Sequence, residues 1–203
     1  VALTIYALKP RFQALLRPLT RRLDALGITA NQVTVAACAV SVVLGAALIS
    51  SPGVHALYLL LPVWLFVRMA LNAIDGMLAR EFGHKSALGA FLNELTDVIS
   101  DAALLLPFAF LPHFGWFEVT LVVVLAALSE MAGTVAVMIG ASRRYDGPMG
   151  KSDRALVLGG LGLAISLGLA PWTWLQYVFP ALAVLLGVTI VNRVRGALAE
   201  LRS

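Results

Sequence analysis

The sequence predicts an all-α integral membrane protein, with six transmembrane helices preceded by an amphipathic interfacial helix at the N-terminus. Three observations carry that prediction. Of 203 residues, 60% are hydrophobic and 13% charged, against about 25% charged in a soluble protein; the mean hydropathy is +0.90. Long apolar stretches recur, enough for roughly six spans at the ~20 residues each that cross a bilayer. The basic residues collect on alternate connections, the asymmetry that sets orientation in a membrane. A single membrane domain over 1–203 is expected, residues 1–30 forming the interfacial helix and 31–203 the six-helix bundle, with no room for a soluble catalytic domain.

In the first thirty residues Lys9, Arg11, Arg17, Arg21 and Arg22 alternate with Leu3, Ile5, Leu8, Phe12, Leu15, Leu16, Leu19, Leu23 and Leu26, interrupted by Pro10 and Pro18. The spacing is helical, with a basic and an apolar side. A cleaved signal peptide would place one unbroken apolar core after its positive region, so this segment is expected to be retained. The chain begins at Val1, so at least an initiator Met is expected before it. Span one is the uncharged run 33–49, closed by Ser50, Ser51, Pro52 and Gly53. Span two runs from near His55 to about Ala79 and carries Arg68, Asn72 and Asp75 in its later half. Span three begins near Ser86, carries Asn93, Glu94, Asp97 and Asp101 early, and continues through the uncharged residues 102–117. Span four covers about 119–139 with Glu130 inside it, and a polar loop over 142–153 follows. Residues 155–192 lack charge altogether and divide at Pro171, Trp172, Thr173 and Trp174 into spans five and six.

The loops near 50–53, 112–118 and 170–174 hold no Lys or Arg, whereas the loops after spans two and four and the C-terminal tail do. Both termini are therefore expected in the cytoplasm, with Trp116, Trp172 and Trp174 at the outer interface. A formal charge of +4 distributed in this way reads as topology and contact with membrane lipids, and no nucleic-acid partner is expected. Cys38 is alone and forms no intrachain disulfide. Gly159, Gly160, Gly162 and Gly168 in span five leave room for close helix contact, within the protomer or across a dimer.

Carboxylates inside a span need a cation, a metal or a water-filled cavity, so a cluster of them marks a functional site. Arg68, Asn72, Asp75 and Ala79 follow helical spacing on span two, and Gly89, Asn93, Asp97 and Asp101 recur every four residues on span three. Two such stripes meeting near the cytoplasmic surface would present oxygen ligands to a hard divalent cation, Mg2+ or Mn2+, with Gly76 and Gly89 permitting close approach. His55, His84 and His113 are scattered and read as interfacial or loop residues, so no zinc site is expected. The acids could instead form buried pairs with Arg68 and Arg80 that hold helices together. Glu130 could pair with Arg68 or face a substrate pocket.

Read from Asn72, the chain runs Asn72, two residues, Asp75-Gly76, two residues, Ala79-Arg80, eight residues, Gly89, three residues, Asn93, three residues, Asp97. At every interval this resembles the signature of the CDP-alcohol phosphotransferase family, integral membrane enzymes of phospholipid synthesis, except that Asn72 and Asn93 stand where the first and third signature Asp would be. The segment 28–34 before span one and the pair Gly150-Lys151 before span five also resemble the family. The resemblance implies transfer of a phosphatidyl or other substituted phosphoryl group from a CDP-linked donor such as CDP-diacylglycerol to an alcohol, with release of CMP, in a bacterial inner membrane. It implies Asn72, Asp75, Asn93 and Asp97 at the metal, Gly76, Ala79, Arg80 and Gly89 at the nucleotide, Asp97 as metal ligand or base, and a homodimer. Asparagine can offer a carbonyl oxygen to the ion but brings no charge, and one ion or two remains open. Asp101, one turn beyond Asp97, would repel it and could poise one of the two as catalytic base. On the acceptor side, Arg143, Arg144, Lys151, Arg154 and Arg193 could bind the phosphate of a phosphorylated alcohol or a lipid headgroup, or serve only as topological anchors. An alternative follows from the two asparagines: a catalytically inactive or repurposed member that binds nucleotide-lipid or lipid as a partner or regulator. A secondary transporter would need an inverted repeat or broken helix pairs, and the sequence shows neither.

Overall fold

The computed structural model describes residues 9–169 and 172–202, and among them there are helices and turns but no strand. In chain order they are α1 (Lys9–Ala25), α2 (Ala30–Ser50), a 3-10 turn (His55–Leu59) leading into α3 (Leu60–Glu81), α4 (Ala87–Leu105) followed by a 3-10 turn (Leu106–Phe110), α5 (Trp116–Met138), α6 (Lys151–Ser166), the short α7 (Trp172–Leu175) and α8 (Val178–Glu200). Four stretches among the described residues are long and apolar enough to cross a membrane: Ala30–Ser50, His55–Glu81, Trp116–Met138 and Thr173–Glu200. α4 and α6 are shorter, at 19 and 16 residues.

Two expectations change. The apolar run expected to carry span three to residue 117 leaves the α-helix at Leu105, because Pro107 has no N–H for the next i to i−4 bond and the chain tightens into a 3-10 turn. α1, by contrast, continues through Pro18, which forgoes one bond to the Ala14 carbonyl without ending the helix. Leu3, Ile5 and Leu8 and the break at Pro171 lie outside the described residues.

The chain forms two compact units. The first comprises the residues up to Val40 together with Phe66–Asp97. Its core is Ala30, Val33, Ile74, Met77 and Leu78, with Leu16, Leu23, Ile28, Leu71, Ala79 and Phe82 packed against them. α1 thus lays Leu16, Leu23 and the buried Thr20 onto the starts of α2 and the end of α3, while Leu15, Leu19 and Leu26 stay exposed. A forked Arg17–Glu81 pair (2.9 and 3.1 Å) ties α1 to α3. α1 stops at Gly27, whose φ of +74° only glycine adopts without strain. α2 begins at a reciprocal cap in which Gln32 N–H donates to Thr29 Oγ1 and Thr29 N–H donates to Gln32 Oε1.

The second unit comprises Ser41–Leu65 and the residues from Val98 onward. Its core is an aliphatic layer from α2, α3, α5, α6 and α8 around Tyr58, Phe108, Phe114 and Phe179, whose rings meet edge-on or tilted at 5.1 to 5.7 Å. Gly159 and Gly162 press α6 against Pro62 and Leu61 within the protomer, whereas Gly160 faces open space. At Gly45 the backbone of α2 lies directly on the carbonyl of Ala103 in α4, so a Cβ there would overlap that oxygen. Gly45→Ala is expected to force the helices apart and cost about 1–3 kcal/mol, read as a lowered melting temperature of the purified protein in lipid nanodiscs.

Candidate active site

Within the first unit three contacts join the elements that carry the signature residues. Thr34 Oγ1 of α2 lies 2.8 Å from Asp75 Oδ2 of α3 and 3.0 Å from the Ala30 carbonyl, so its single proton is shared between them. Arg68 of α3, 4% exposed, reaches α4 and donates through Nη2 to the Asp97 backbone carbonyl at 3.2 Å and to Asp97 Oδ1 at 3.4 Å. Gly89 of α4 is set so close to Asn31 of α2 that an added Cβ would stand 2.8 Å from the Asn31 side-chain oxygen. The α3 stripe of Arg68, Asn72, Asp75 and Ala79 and the α4 stripe of Gly89, Asn93 and Asp97 therefore belong to one compact unit with the start of α2.

Asp75 is buried, Asn72 and Asp97 are half-buried, and Asn93 is exposed. The Arg80 guanidinium folds back over Gly76, 2.8 Å from where a Cβ would be, so the glycine leaves that cation lying along the helix backbone. Among the described residues no three of His, Cys, Asp and Glu gather into a metal-holding group. The available donors are the carboxylates of Asp75 and Asp97 and the amide oxygens of Asn72 and Asn93, all hard oxygens, and such a set fits a divalent ion of the magnesium or manganese kind.

In the second unit a separate charged cluster gathers around Glu130 of α5. Glu130 Oε1 is 3.0 Å from Arg154 Nη2, and Oε2 is 3.5 Å from both Arg143 Nη2 and Arg193 Nη1. Arg154 also donates to Asp101 Oδ2 from Nη2 at 2.7 Å and Nε at 3.1 Å, and approaches the Met149 carbonyl at 3.4 Å. Arg193 donates to the Ser129 carbonyl. Asp101 is thus an ion-pair partner of Arg154, and Glu130 keeps company with three arginines of its own unit. Lys151 opens α6, where the Gly150 N–H donates to Asp153 Oδ2 at 2.9 Å.

Arg144 belongs to an outer group, forked onto Asp146 (2.7 and 3.0 Å) and bonded to Glu200 at 2.8 Å. The hydrogen bond from Arg144 holds the Asp146 carboxyl below its ordinary range, against a smaller opposing effect of burial. A depressed folded-state pKa means that the pair stabilises the loop above the ordinary Asp value of 3.8 and that the stabilisation is lost as pH falls through the folded value. Asp146→Asn is accordingly expected to cost less than about 1 kcal/mol at pH 7, the partners being solvent-screened, and nothing in strong acid, in unfolding curves collected across pH.

Two further residues also matter here. Thr34 lies in the segment 28–34 that resembles the family, but its contact with Asp75 is not readable from the sequence. His84, expected to be a plain loop residue, accepts the Ala30 N–H on Nδ1 at 3.3 Å and presents Nε2 to Asp24 at 3.0 Å, fastening the turn after α3 to the end of α1 and the start of α2.

Four stretches of spanning length among the described residues, one of them carrying the buried Asp75, define the class as an all-helical membrane protein. Comparison with known proteins gives the family: the model for CDP-alcohol phosphatidyltransferases matches residues 27–190, and the chain belongs to that family. It is 46% identical over 196 residues to the inner membrane protein YnbA of Escherichia coli, covering 97% of both chains. It is 30% identical to the phosphatidylinositol phosphate synthase of Mycobacteroides abscessus, over 90% of this chain and 83% of that one. The crystal structure of the Mycobacterium tuberculosis phosphatidylinositol phosphate synthase with manganese and citrate superposes with a TM-score of 0.72 at 23% identity, over 89% of this chain and 88% of that one. The form of that enzyme with CDP-DAG bound gives 0.63 over 91% and 90%. These likenesses show a common fold.

Proposed function

We propose that the protein transfers a phosphatidyl or similar substituted phosphoryl group from a CDP-linked lipid to an alcohol and releases CMP. What supports this reading is the packing of α2, α3 and α4 through Thr34–Asp75, Arg68–Asp97 and Asn31–Gly89, contacts made by or beside residues at the family's signature spacing. Gly76, Ala79, Arg80 and Gly89 hold the cytidine diphosphate, the Arg80 guanidinium bonding diphosphate oxygens while the glycines let the nucleotide approach the backbone. Asp75 and Asp97, with the amide oxygens of Asn72 and Asn93, hold the divalent ion, magnesium or manganese. When bound, it supplies a Lewis acid for the phosphoryl oxygens. Asp97, oriented by Arg68, takes the proton of the acceptor hydroxyl as that oxygen attacks the phosphorus bearing diacylglycerol and the bond to CMP breaks. Of the two acids expected to act as base, Asp97 suits the role better, because Asp101 is held by two bonds to Arg154 and serves to position it. Arg143, Arg144, Lys151, Arg154 and Arg193 form the basic set on the acceptor side.

The protein is read as a single domain of six spans in a bacterial inner membrane, with an amphipathic interfacial α1, both termini cytoplasmic and a homodimeric assembly. Four helices of spanning length and the inner-membrane relative support that placement. The asparagines at 72 and 93 favour a second reading, a family member that binds the nucleotide-lipid without turning it over. The two are separated by CMP release from CDP-diacylglycerol by the purified protein in nanodiscs with magnesium or manganese and a panel of alcohols. Release above a no-protein control supports transfer. Donor binding without release under any acceptor supports the second reading.

A further inference from the structure

The charged cluster of the second unit has the form of an anion site whose anion is already built in. Arg143, Arg154 and Arg193 come from the loop after α5, from α6 and from α8, and all three converge on one carboxylate, that of Glu130. Arg154 and Arg193 are 3% and 1% exposed. Two buried guanidiniums, from α6 and α8, joined by the partly exposed one of Arg143, make the kind of donor set a phosphate-binding pocket needs, and here Glu130 stands where they meet. Asp101 neutralises Arg154 further, so three cations and two carboxylates leave one net positive charge. The Arg193 Nε is buried with no hydrogen-bond partner, so the cluster retains donor capacity that Glu130 does not use. A phosphate dianion would meet the Glu130 carboxylate at close range or have to displace it from all three arginines, and either penalises a charged acceptor against a neutral one.

We propose that Glu130 is a specificity-determining residue that fills the arginine cluster with an internal carboxylate and thereby restricts the acceptor to alcohols carrying no phosphate of their own. This rests on the transferase reading above and on the assignment of the arginine set to the acceptor side. The neutral hydroxyls of such an alcohol can bond to guanidinium N–H groups and to Glu130 together, an arrangement a phosphate cannot share with a carboxylate.

The test uses the full chain in nanodiscs, as wild type, Glu130→Gln and Glu130→Asp. One arm measures binding of inorganic phosphate and of glycerol 3-phosphate by calorimetry. Wild type and Glu130→Asp are expected to bind both weakly, and Glu130→Gln at least about tenfold more tightly. The other arm measures CMP release from CDP-diacylglycerol with paired acceptors, glycerol against glycerol 3-phosphate and inositol against inositol phosphate. Wild type is expected to favour the unphosphorylated member of at least one pair and the phosphorylated member of neither. Glu130→Gln is expected to move the ratio at least about tenfold toward the phosphorylated members. A wild type that favours a phosphorylated acceptor, or a folded Glu130→Gln that shifts neither binding nor acceptor ratio, overturns the proposal. If Glu130→Gln does not fold, the wild-type acceptor ratios decide. If wild type releases no CMP with any acceptor, the transferase reading fails while the phosphate-binding arm still judges Glu130.

Discussion

Replacing Asp75 with alanine is expected to lower metal-dependent CMP release by roughly 10^3-fold, equivalent to about 4 kcal/mol in the barrier. The side chain is 6% exposed and lies against the Thr34 hydroxyl, so the truncation removes a full negative charge from a site with few others. Asp75→Asn keeps the shape and the contact with Thr34 but not the charge, and is expected to lose nearly as much, which separates electrostatics from packing. Thr34→Val removes only the hydroxyl and is expected to have a much smaller effect. Steady-state rates measured across a magnesium or manganese titration, alongside melting curves that confirm folding, check all three. A folded Asp75→Ala protein with undiminished turnover would rule out the assigned role.

The second large effect concerns stability. Arg154→Met is expected to destabilise the protein by about 3–5 kcal/mol, the usual consequence of leaving a buried charge without its partner. Here two carboxylates lose their nearest cation, since Asp101 and Glu130 lie 2.7 and 3.0 Å from Arg154 Nη2. Arg143 and Arg193 remain near Glu130 at 3.5 Å, so the greater strain falls on Asp101. Adding Asp101→Asn to Arg154→Met is therefore expected to recover a large part of the loss. Unfolding in detergent or nanodiscs, run as a double-mutant cycle, measures the coupling; no recovery in the double variant would mean that packing and not charge dominates at this position.

The sequence made some of this legible and hid the rest for physical reasons. α2, α3, α5 and α8 were readable because a bilayer demands long uncharged runs, and 155–192 had to be divided. The end of α4 was not, since residues 102–117 are equally apolar in and out of the helix and only Pro107 marks the change. In the candidate site, Asp75, Gly89 and Asp97 stood out because helical spacing puts them on polar stripes of α3 and α4, whereas Gly76 and Arg80 drew attention as nucleotide contacts through the resemblance to the family signature. Their partners did not. Nothing local says that Thr34 meets Asp75 across 41 positions, that Arg68 chooses Asp97, or that Glu130 draws arginines from a loop and two other helices. Long-range pairing depends on which helix faces pack, and periodicity along one helix does not specify that.

If the protein uses the lipid donor proposed above, the contact at Gly45 limits the donor's route. With one main chain resting on the other's carbonyl oxygen there, no hydrocarbon tail can slip through the seam between α2 and α4 at that depth. A two-tailed donor would therefore have to enter away from this seam.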